Sequence, residues 1–271
     1  SARIMVLNKT ERKVDIDKIL QKLHIEKLNN VQLDVARAVA TTADDIIILS
    51  PTGSGKTLAY LLPSVFRLNP ALDTLQMVVM VPSRELAKQS VEVMRSMGVP
   101  LRGMALYGGR PAMEEHREIN KLKPQVVFAT PGRMNDHIAK HNVNPMGVRL
   151  LVIDEFDKSL EMGFADEMQR VVDSLPSVER RILLSATDCP DIPRFVNMQH
   201  TCRIDYTEPD SGISAADRIR SFVVRSEQKD KLDTLLHLLL SFGEKSSIVF
   251  LNYRSSVERT WQFLQDKGFV C

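Results

Sequence analysis

With 271 residues the chain exceeds one average domain, so one large domain plus part of another is the natural expectation. Its apolar fraction of 44% and charged fraction of 26% are those of an ordinary folded globular protein, with ample material for a buried core, so disorder is not the default. A net charge of +2 neither announces nor excludes a nucleic-acid partner, because phosphate binding depends on local clusters of Lys and Arg. No apolar run approaches the roughly eighteen residues that span a bilayer, and the N-terminus lacks the apolar core of a secretion signal, so no membrane partner and a cytoplasmic location are expected. Cys189, Cys202 and Cys271 are too few for a disulfide framework and match no zinc spacing, which reads as reduced thiols.

In chain order, helical three-and-four spacing first covers Gln32 to Thr41. Short apolar, β-branched runs then alternate with helical segments: Ile46 to Leu49, Met77 to Val81, Met104 to Tyr107, Val126 to Ala129, Leu150 to Ile153 and Ile182 to Leu184. Ala112 to Leu122 and Phe164 to Leu175 are among the helices between them. Six buried strands result, in an α/β fold whose mostly parallel sheet is covered by helices on both faces. Each run ends in a polar, Gly- or Pro-bearing cluster: Ser50 to Thr57, Pro82 to Ala87, Gly108 to Arg110, Thr130 to Arg133, Asp154 to Asp157 and Ser185 to Thr187. Ligands of open α/β sheets bind outside the carboxyl ends of the strands, so these clusters should line one crevice.

The first cluster, Ser50-Pro51-Thr52-Gly53-Ser54-Gly55-Lys56-Thr57, reads as a phosphate-binding loop. Gly53 and Gly55 let backbone N–H groups close round phosphate oxygens at a helix N-terminus, Lys56 neutralises them, and Thr57 can reach magnesium. Ser50 stands where the strict pattern has Gly. Asp154 and Glu155 follow a buried strand, where one carboxylate can hold the magnesium that bridges two phosphates and the other can orient and deprotonate water. An Asp-Glu pair after a strand is also a common helix start. The phosphate loop about a hundred residues upstream favours the catalytic reading.

These clusters, in this order, resemble the DEAD-box family of RNA-dependent ATPases, with an acidic motif that reads Asp154-Glu155-Phe156-Asp157. The resemblance implies a RecA-like P-loop domain followed by the beginning of a second one. It implies that Gln32 reads the adenine edge, that Pro51 to Thr57 hold the nucleotide, and that Thr57 and Asp154 hold Mg2+, partly through water. Glu155 would be the hydrolytic base, with Lys56 and Asp154 completing the catalytic set. Asp157 would bond to Ser185 and Thr187, connecting the ATP site to domain closure. The same resemblance assigns single-stranded RNA, or a short RNA duplex, to Pro82, Arg84, Gly108, Gly109, Thr130, Gly132 and Arg133. Arg84 and Arg133 supply charge, and the Gly and Pro turns expose N–H groups to a sugar-phosphate backbone. Readings to set beside RNA helicase are a DNA-directed helicase or translocase, and a non-catalytic, ATP-switched RNA-binding adaptor. Family members usually stack an upstream aromatic on adenine and carry a proline just ahead of the glutamine. Here no Phe, Tyr or Trp precedes Tyr60 and no proline precedes Gln32.

Around residues 207–217 the text turns to Thr-Glu-Pro-Asp-Ser-Gly, without periodicity, and reads as a linker between a domain of residues 1–206 and a portion of residues 218–271. That portion is expected to hold strands at Ser221 to Val224 and Ser247 to Leu251, and helices at Asp230 to Ser241 and Ser255 to Lys267. Ser247 to Asn252 with Tyr253-Arg254 resembles the family's first motif of the partner domain. The family's later motifs, with the arginines that complete the ATP site, would fall beyond Cys271. The 271 residues alone are therefore expected to bind nucleotide but hydrolyse it slowly.

Overall fold

A computed structural model describes residues 16–188, 194–207, 222–226, 229–243 and 245–270. The chain divides into two compact units, Ser1–Arg218 and Ile219–Cys271. The first carries seven strands: β1 (Asp45–Leu49), β2 (Met77–Met80), β3 (Gly103–Leu106), β4 (Val126–Ala129), β5 (Leu150–Ile153), β6 (Arg180–Ser185) and β7 (Thr201–Asp205). They form one sheet in the order β3-β4-β2-β5-β6-β1-β7, and every pairing is parallel.

Parallel strands need crossovers, and the helices that make them cover both faces. Alternate residues of β1 separate accordingly. Ile46 and Ile48 join a core with α2 (Asn30–Thr41), α3 (Lys56–Val65) and α4 (Arg84–Ser96), whereas Ile47 and Leu49 join a core with α5 (Ala112–Leu122), α6 (Pro131–Ala139) and α8 (Ala165–Asp173). The described residues of the unit also form the short helices α1 (Ile16–Lys22) and α7 (Phe156–Glu161). Phe156 is fully buried in the second core, which accommodates the ring that follows the acidic pair.

The expected six strands become seven because β7 joins the edge beside β1. Its sequence, Thr201-Cys-Arg-Ile-Asp205, alternates between exposed and half-buried residues and so lacks the continuous apolar run of a central strand. Cys202 on this strand is a free thiol; Cys189 and Cys271 lie outside the described residues. Of the expected linker only Thr207 is described.

In the second unit the helices form, as α9 (Leu232–Phe242) and α10 (Arg254–Asp266). The expected strands do not: residues 222–226 and 245–251 belong to no strand, Ser221 lies outside the described residues, and Phe222, Ile248 and Phe250 are exposed. A strand exists only through a neighbour's N–H and C=O groups, and the described residues of this unit contribute helices and no ladder.

Candidate active site

The registers align the carboxyl ends of the strands, with Leu49 opposite Ser185, Met80 opposite Ile153, and Leu106 opposite Ala129. All six polar clusters therefore emerge at one edge of the sheet, and strand order sorts them. Those at Ser50, Asp154 and Ser185 belong to the β5-β6-β1 half, and those at Pro82, Gly108 and Thr130 to the β3-β4-β2 half. β1 and β5 are not adjacent, since β6 lies between them and brings Ser185 into the middle of the first group.

In the β5-β6-β1 half, β1 runs into the loop of residues 50–55, and α3 starts at Lys56. Gly53 and Gly55 both hold φ of +80°, which an L side chain rarely adopts. A Cβ on Gly55 would also lie 2.6 Å from Gln32 Nε2, so a larger residue there would displace the Gln32 amide as well as strain the backbone. The loop is tied to α2, where Asn29 caps the helix by accepting from the Gln32 N–H at 2.9 Å and Gln32 Oε1 accepts in return from the Asn29 N–H at 3.0 Å. The same two side chains reach across: Asn29 Nδ2 donates to Ser54 O at 2.8 Å and Gln32 Nε2 to Gly55 O at 3.3 Å. Ser50 Oγ donates to Ser54 Oγ at 2.6 Å, which gives a use to the serine found where the strict motif has glycine.

Gln32, Thr52, Gly53, Gly55, Lys56, Thr57, Asp154 and Glu155 line one cleft of about 550 Å³. Pro51 and Ser54 belong to the loop that forms its wall. The cleft is also lined by Leu23, Ile25 and, on α4, Leu86, Gln89 and Val93, so its described lining is in part aliphatic and holds no aromatic side chain.

Two buried charges face this cleft and form no ion pair within 4.0 Å of each other. Lys56 Nζ donates to the carbonyls of Ser50 at 2.7 Å and Pro51 at 3.4 Å. Burial lowers its pKa, opposed by the carboxylates of Asp154, Glu155 and Asp157. Asp154 is 2% exposed, and burial pushes its carboxyl up to about 6 against the pull of Lys56. One of its oxygens accepts from the Glu155 N–H at 2.9 Å, and the other takes no hydrogen bond from a described residue. Glu155 sits at φ 49°, in the left-handed region, so that β5 turns directly into α7, and Lys158 Nζ donates to its carboxylate at 2.9 Å.

Beside the cleft, Asp157 Oδ2 accepts from the N–H groups of Ala186 and Thr187, both at 3.2 Å, and from Thr187 Oγ1 at 3.1 Å. Ser185 Oγ donates to Thr187 O at 2.6 Å. The acidic motif and the Ser-Ala-Thr turn are therefore one hydrogen-bonded unit. Asp157 Oδ1 is buried with no hydrogen-bond partner among the described residues.

The β3-β4-β2 half differs. Ser83 caps α4, accepting from the Leu86 N–H at 3.1 Å, and α6 begins with Thr130 as cap and Pro131 in its first turn. Arg84 is exposed and paired with Glu85 at 2.6 Å. Pro82 is buried, while Gly108, Gly109 and Gly132 expose their backbones, with nothing within 4 Å of the point a Cβ would occupy. Arg133 points inward: its Nε donates to Glu115 Oε2 at 2.6 Å and its Nη2 to Arg110 O at 2.7 Å. Glu115 is fully buried, and its Oε2 also meets His137 Nε2 at 2.8 Å. Burial works against the charge on Glu115, but the bonds from His137 and Arg133 outweigh it and hold the carboxyl below its usual range. The guanidinium of Arg133 is thus engaged in the scaffold beneath the Gly108-Gly109 turn, rather than extended into solvent.

Asn29, Glu115 and His137 went unnoticed in the sequence. For Asn29 a signal existed, since a cap residue three positions before Gln32 at a helix start is a capping-box pattern. For Glu115 there was none, because Glu114, Glu115 and Glu118 share one helix and only tertiary packing selects which is buried.

A parallel sheet carrying a glycine-bearing phosphate loop at one strand end and an acidic pair at another defines a P-loop nucleotide-binding domain of RecA-like architecture. A model of the DEAD/DEAH box helicase family matches residues 29–192, and the chain belongs to that family. It is 32% identical over 227 residues to the DEAD-box ATP-dependent RNA helicase RhpA of Helicobacter pylori, covering 83% of this chain and 46% of that protein. It is 29% identical over 258 residues to the DEAD-box ATP-dependent RNA helicase CshA of Bacillus subtilis, covering 94% and 52%. The chain thus spans about half the length of the curated relatives it matches. In fold it resembles a DEAD box protein from the hyperthermophile Methanococcus jannaschii, with a TM-score of 0.68 and 24% identity over 98% of this chain and 71% of that one. The DEAD-box helicase Mss116 bound to ssRNA and UDP-BeF gives a TM-score of 0.65 and 25% identity over 76% and 44%.

Proposed function

We propose that the chain is the nucleotide-binding half, with the opening stretch of the partner half, of an ATP-dependent RNA helicase acting in the cytoplasm. Residues 1–206 would form the ATP-binding domain, 207–217 the linker and 218–271 the start of the second domain. The observation that carries the reading is the pair of buried charges, Lys56 and Asp154, that line one cleft beside the phosphate loop without closing into an ion pair. An ammonium below its usual pKa and a carboxyl above it, both from desolvation, are what a site for a metal-bound triphosphate requires.

In this reading the N–H groups of residues 53–57 and Lys56 bind phosphates, and Gln32 meets the adenine edge with the donor and acceptor capacity its capping bonds leave over. The free oxygen of Asp154 and the Thr57 hydroxyl suit Mg2+, partly through water. Among the described residues no three His, Cys, Asp or Glu side chains gather round a point, so the cation would come with the nucleotide, as magnesium does. When bound, magnesium neutralises charge on the phosphates. Glu155 orients and deprotonates the water. Asp157, its second oxygen still unpartnered, transmits the state of the site through Thr187. In the intact protein, ATP and a single strand both prefer the closed arrangement of two domains, and closure bends the strand away from its duplex partner. The named relatives support RNA over DNA as that strand.

Titrating Mg-ATP into the protein tests the roles. Lys56→Ala should weaken binding ~10- to 100-fold, the loss of a charged hydrogen bond. Glu155→Gln should leave affinity within ~2-fold while slowing single-turnover hydrolysis by the full-length protein. Equal loss of binding in both would refute the assignment. Full-length turnover stimulated equally by DNA would favour a DNA-directed translocase, and absent single-turnover hydrolysis an adaptor.

A further inference from the structure

The two cations that sequence offers to an RNA phosphate are both engaged: Arg133 in the buried pair with Glu115, and Arg84 with Glu85. Lys88, one turn beyond Arg84 on α4, is different. It is exposed, and among the described residues no carboxylate lies within 4.0 Å of its ammonium. Glu85, the acid close enough for Lys88 to lower its pKa, has Arg84 as its first partner. What Lys88 does touch is an aromatic face, its Nζ lying 5.1 Å from the centroid of the Tyr107 ring.

Tyr107 immediately follows β3 and immediately precedes the exposed Gly108-Gly109 turn. Its ring is half-buried against the first core, and its N–H donates to Glu115 Oε1 at 3.5 Å, so the buried cluster beneath the turn helps fix it. Arg84 is paired with Glu85 and Arg110 with Glu118 at 2.7 Å, so among these neighbours Lys88 is the cation with no carboxylate partner among the described residues. It stands beside two exposed glycine backbones on a ring anchored from below.

We propose that Lys88 is a further RNA contact, taking a phosphate of a single strand that passes Gly108-Gly109, with Tyr107 as the positioning residue that presents it. A ring face engages one side of an ammonium and leaves its remaining N–H groups directed outward, where they can donate to phosphate oxygens. Holding the lysine stem over the ring also reduces the side-chain entropy lost when the phosphate arrives. The inference rests on the RNA reading above and extends its track from strand-end motifs to the outer face of α4.

The experiment measures a fluorescent oligouridylate binding to the full-length protein across a salt series, with Mg-ATP binding as control. Lys88→Ala should lower RNA affinity ~3- to 10-fold and flatten the log–log salt slope by ~0.7, the value for one phosphate on a single strand. Lys88→Arg should restore both. Tyr107→Leu, which keeps apolar packing and removes the ring, should cost ~2-fold. Nucleotide affinity should be unchanged in all three. Wild-type affinity and slope in Lys88→Ala would overturn the inference, as would an affinity loss with an unchanged slope. Wild-type protein that binds Mg-ATP but no RNA would instead overturn the RNA reading, and this contact with it.

Discussion

The two halves of the sheet's carboxyl edge use buried charge in opposite ways. At β5-β6-β1, Lys56 and Asp154 are desolvated and each is pushed toward its neutral form. At β3-β4-β2, Glu115 is likewise shut off from solvent but is held ionised by Arg133 and His137. Burying a charge is expensive in either place. Where partners within the chain offset the expense the group is scaffold, and where they do not, a ligand is the remaining compensation. The difference separates a binding site from its support without reference to motifs.

The largest effect that could break this comparison is at Glu115. Glu115→Ala removes the carboxylate shared by the buried His137 and the partly buried Arg133 and should destabilise the first unit by ~3 kcal/mol. Urea unfolding measures it, and Glu115→Gln, which can still accept hydrogen bonds, should lose less. A Glu115→Ala protein as stable as its parent would mean that the cluster is not scaffold.

Asp154 comes next, with the opposite sign. Its folded pKa, about 6, is raised above the ordinary 3.8. The folded protein therefore binds this proton more tightly than the unfolded chain does. The contribution to stability is fully present below ~4 and is lost as pH rises through about 6. By neutral pH the ionised group costs on the order of 3 kcal/mol. Ligand-free Asp154→Asn should therefore be the more stable protein at pH ~7, with the gap closing toward pH ~4. Mg-ATP affinity of the parent should rise through the same window and that of Asp154→Asn should not. Thermal melts and titrations at a few pH values check both. A less stable Asn variant would show that Asp154 is already compensated within the chain.

Arg84 is the smallest case. Its pair with Glu85 is exposed and screened by solvent, so Arg84→Ala should leave the thermal melt of the protein unchanged. It should nevertheless flatten the salt dependence of RNA binding by ~0.7. A stability change comparable to that of Glu115→Ala would erase the distinction between scaffold and surface cation.

Much of this was legible in the chain because the informative residues are contiguous. A strand of four or five buried residues followed by Gly53, Gly55 and Lys56, or by Asp154 and Glu155, specifies its own turn, and the parallel sheet follows from the alternation with helices. β7 was not legible, because an edge strand with one half-exposed face carries too weak an apolar signal. In the second unit the run Ile248-Val249-Phe250 has the composition of a strand but no ladder to join among the described residues. The cleft's aliphatic wall was also hidden, since Leu23, Ile25 and Leu86 look like any core residues until α1 and α4 are placed beside the phosphate loop.

The sequence by itself determined the fold class, the family and which residues sit at strand ends, because those properties are written in periodicity and in short motifs whose geometry is local. Only the tertiary structure decided that β6 separates the two nucleotide motifs, that Arg133 turns inward to Glu115, and that Lys88 rests on the face of Tyr107. The fate of a charged side chain depends on which distant group comes within a few ångströms of it, and that distance exists only once the chain has folded.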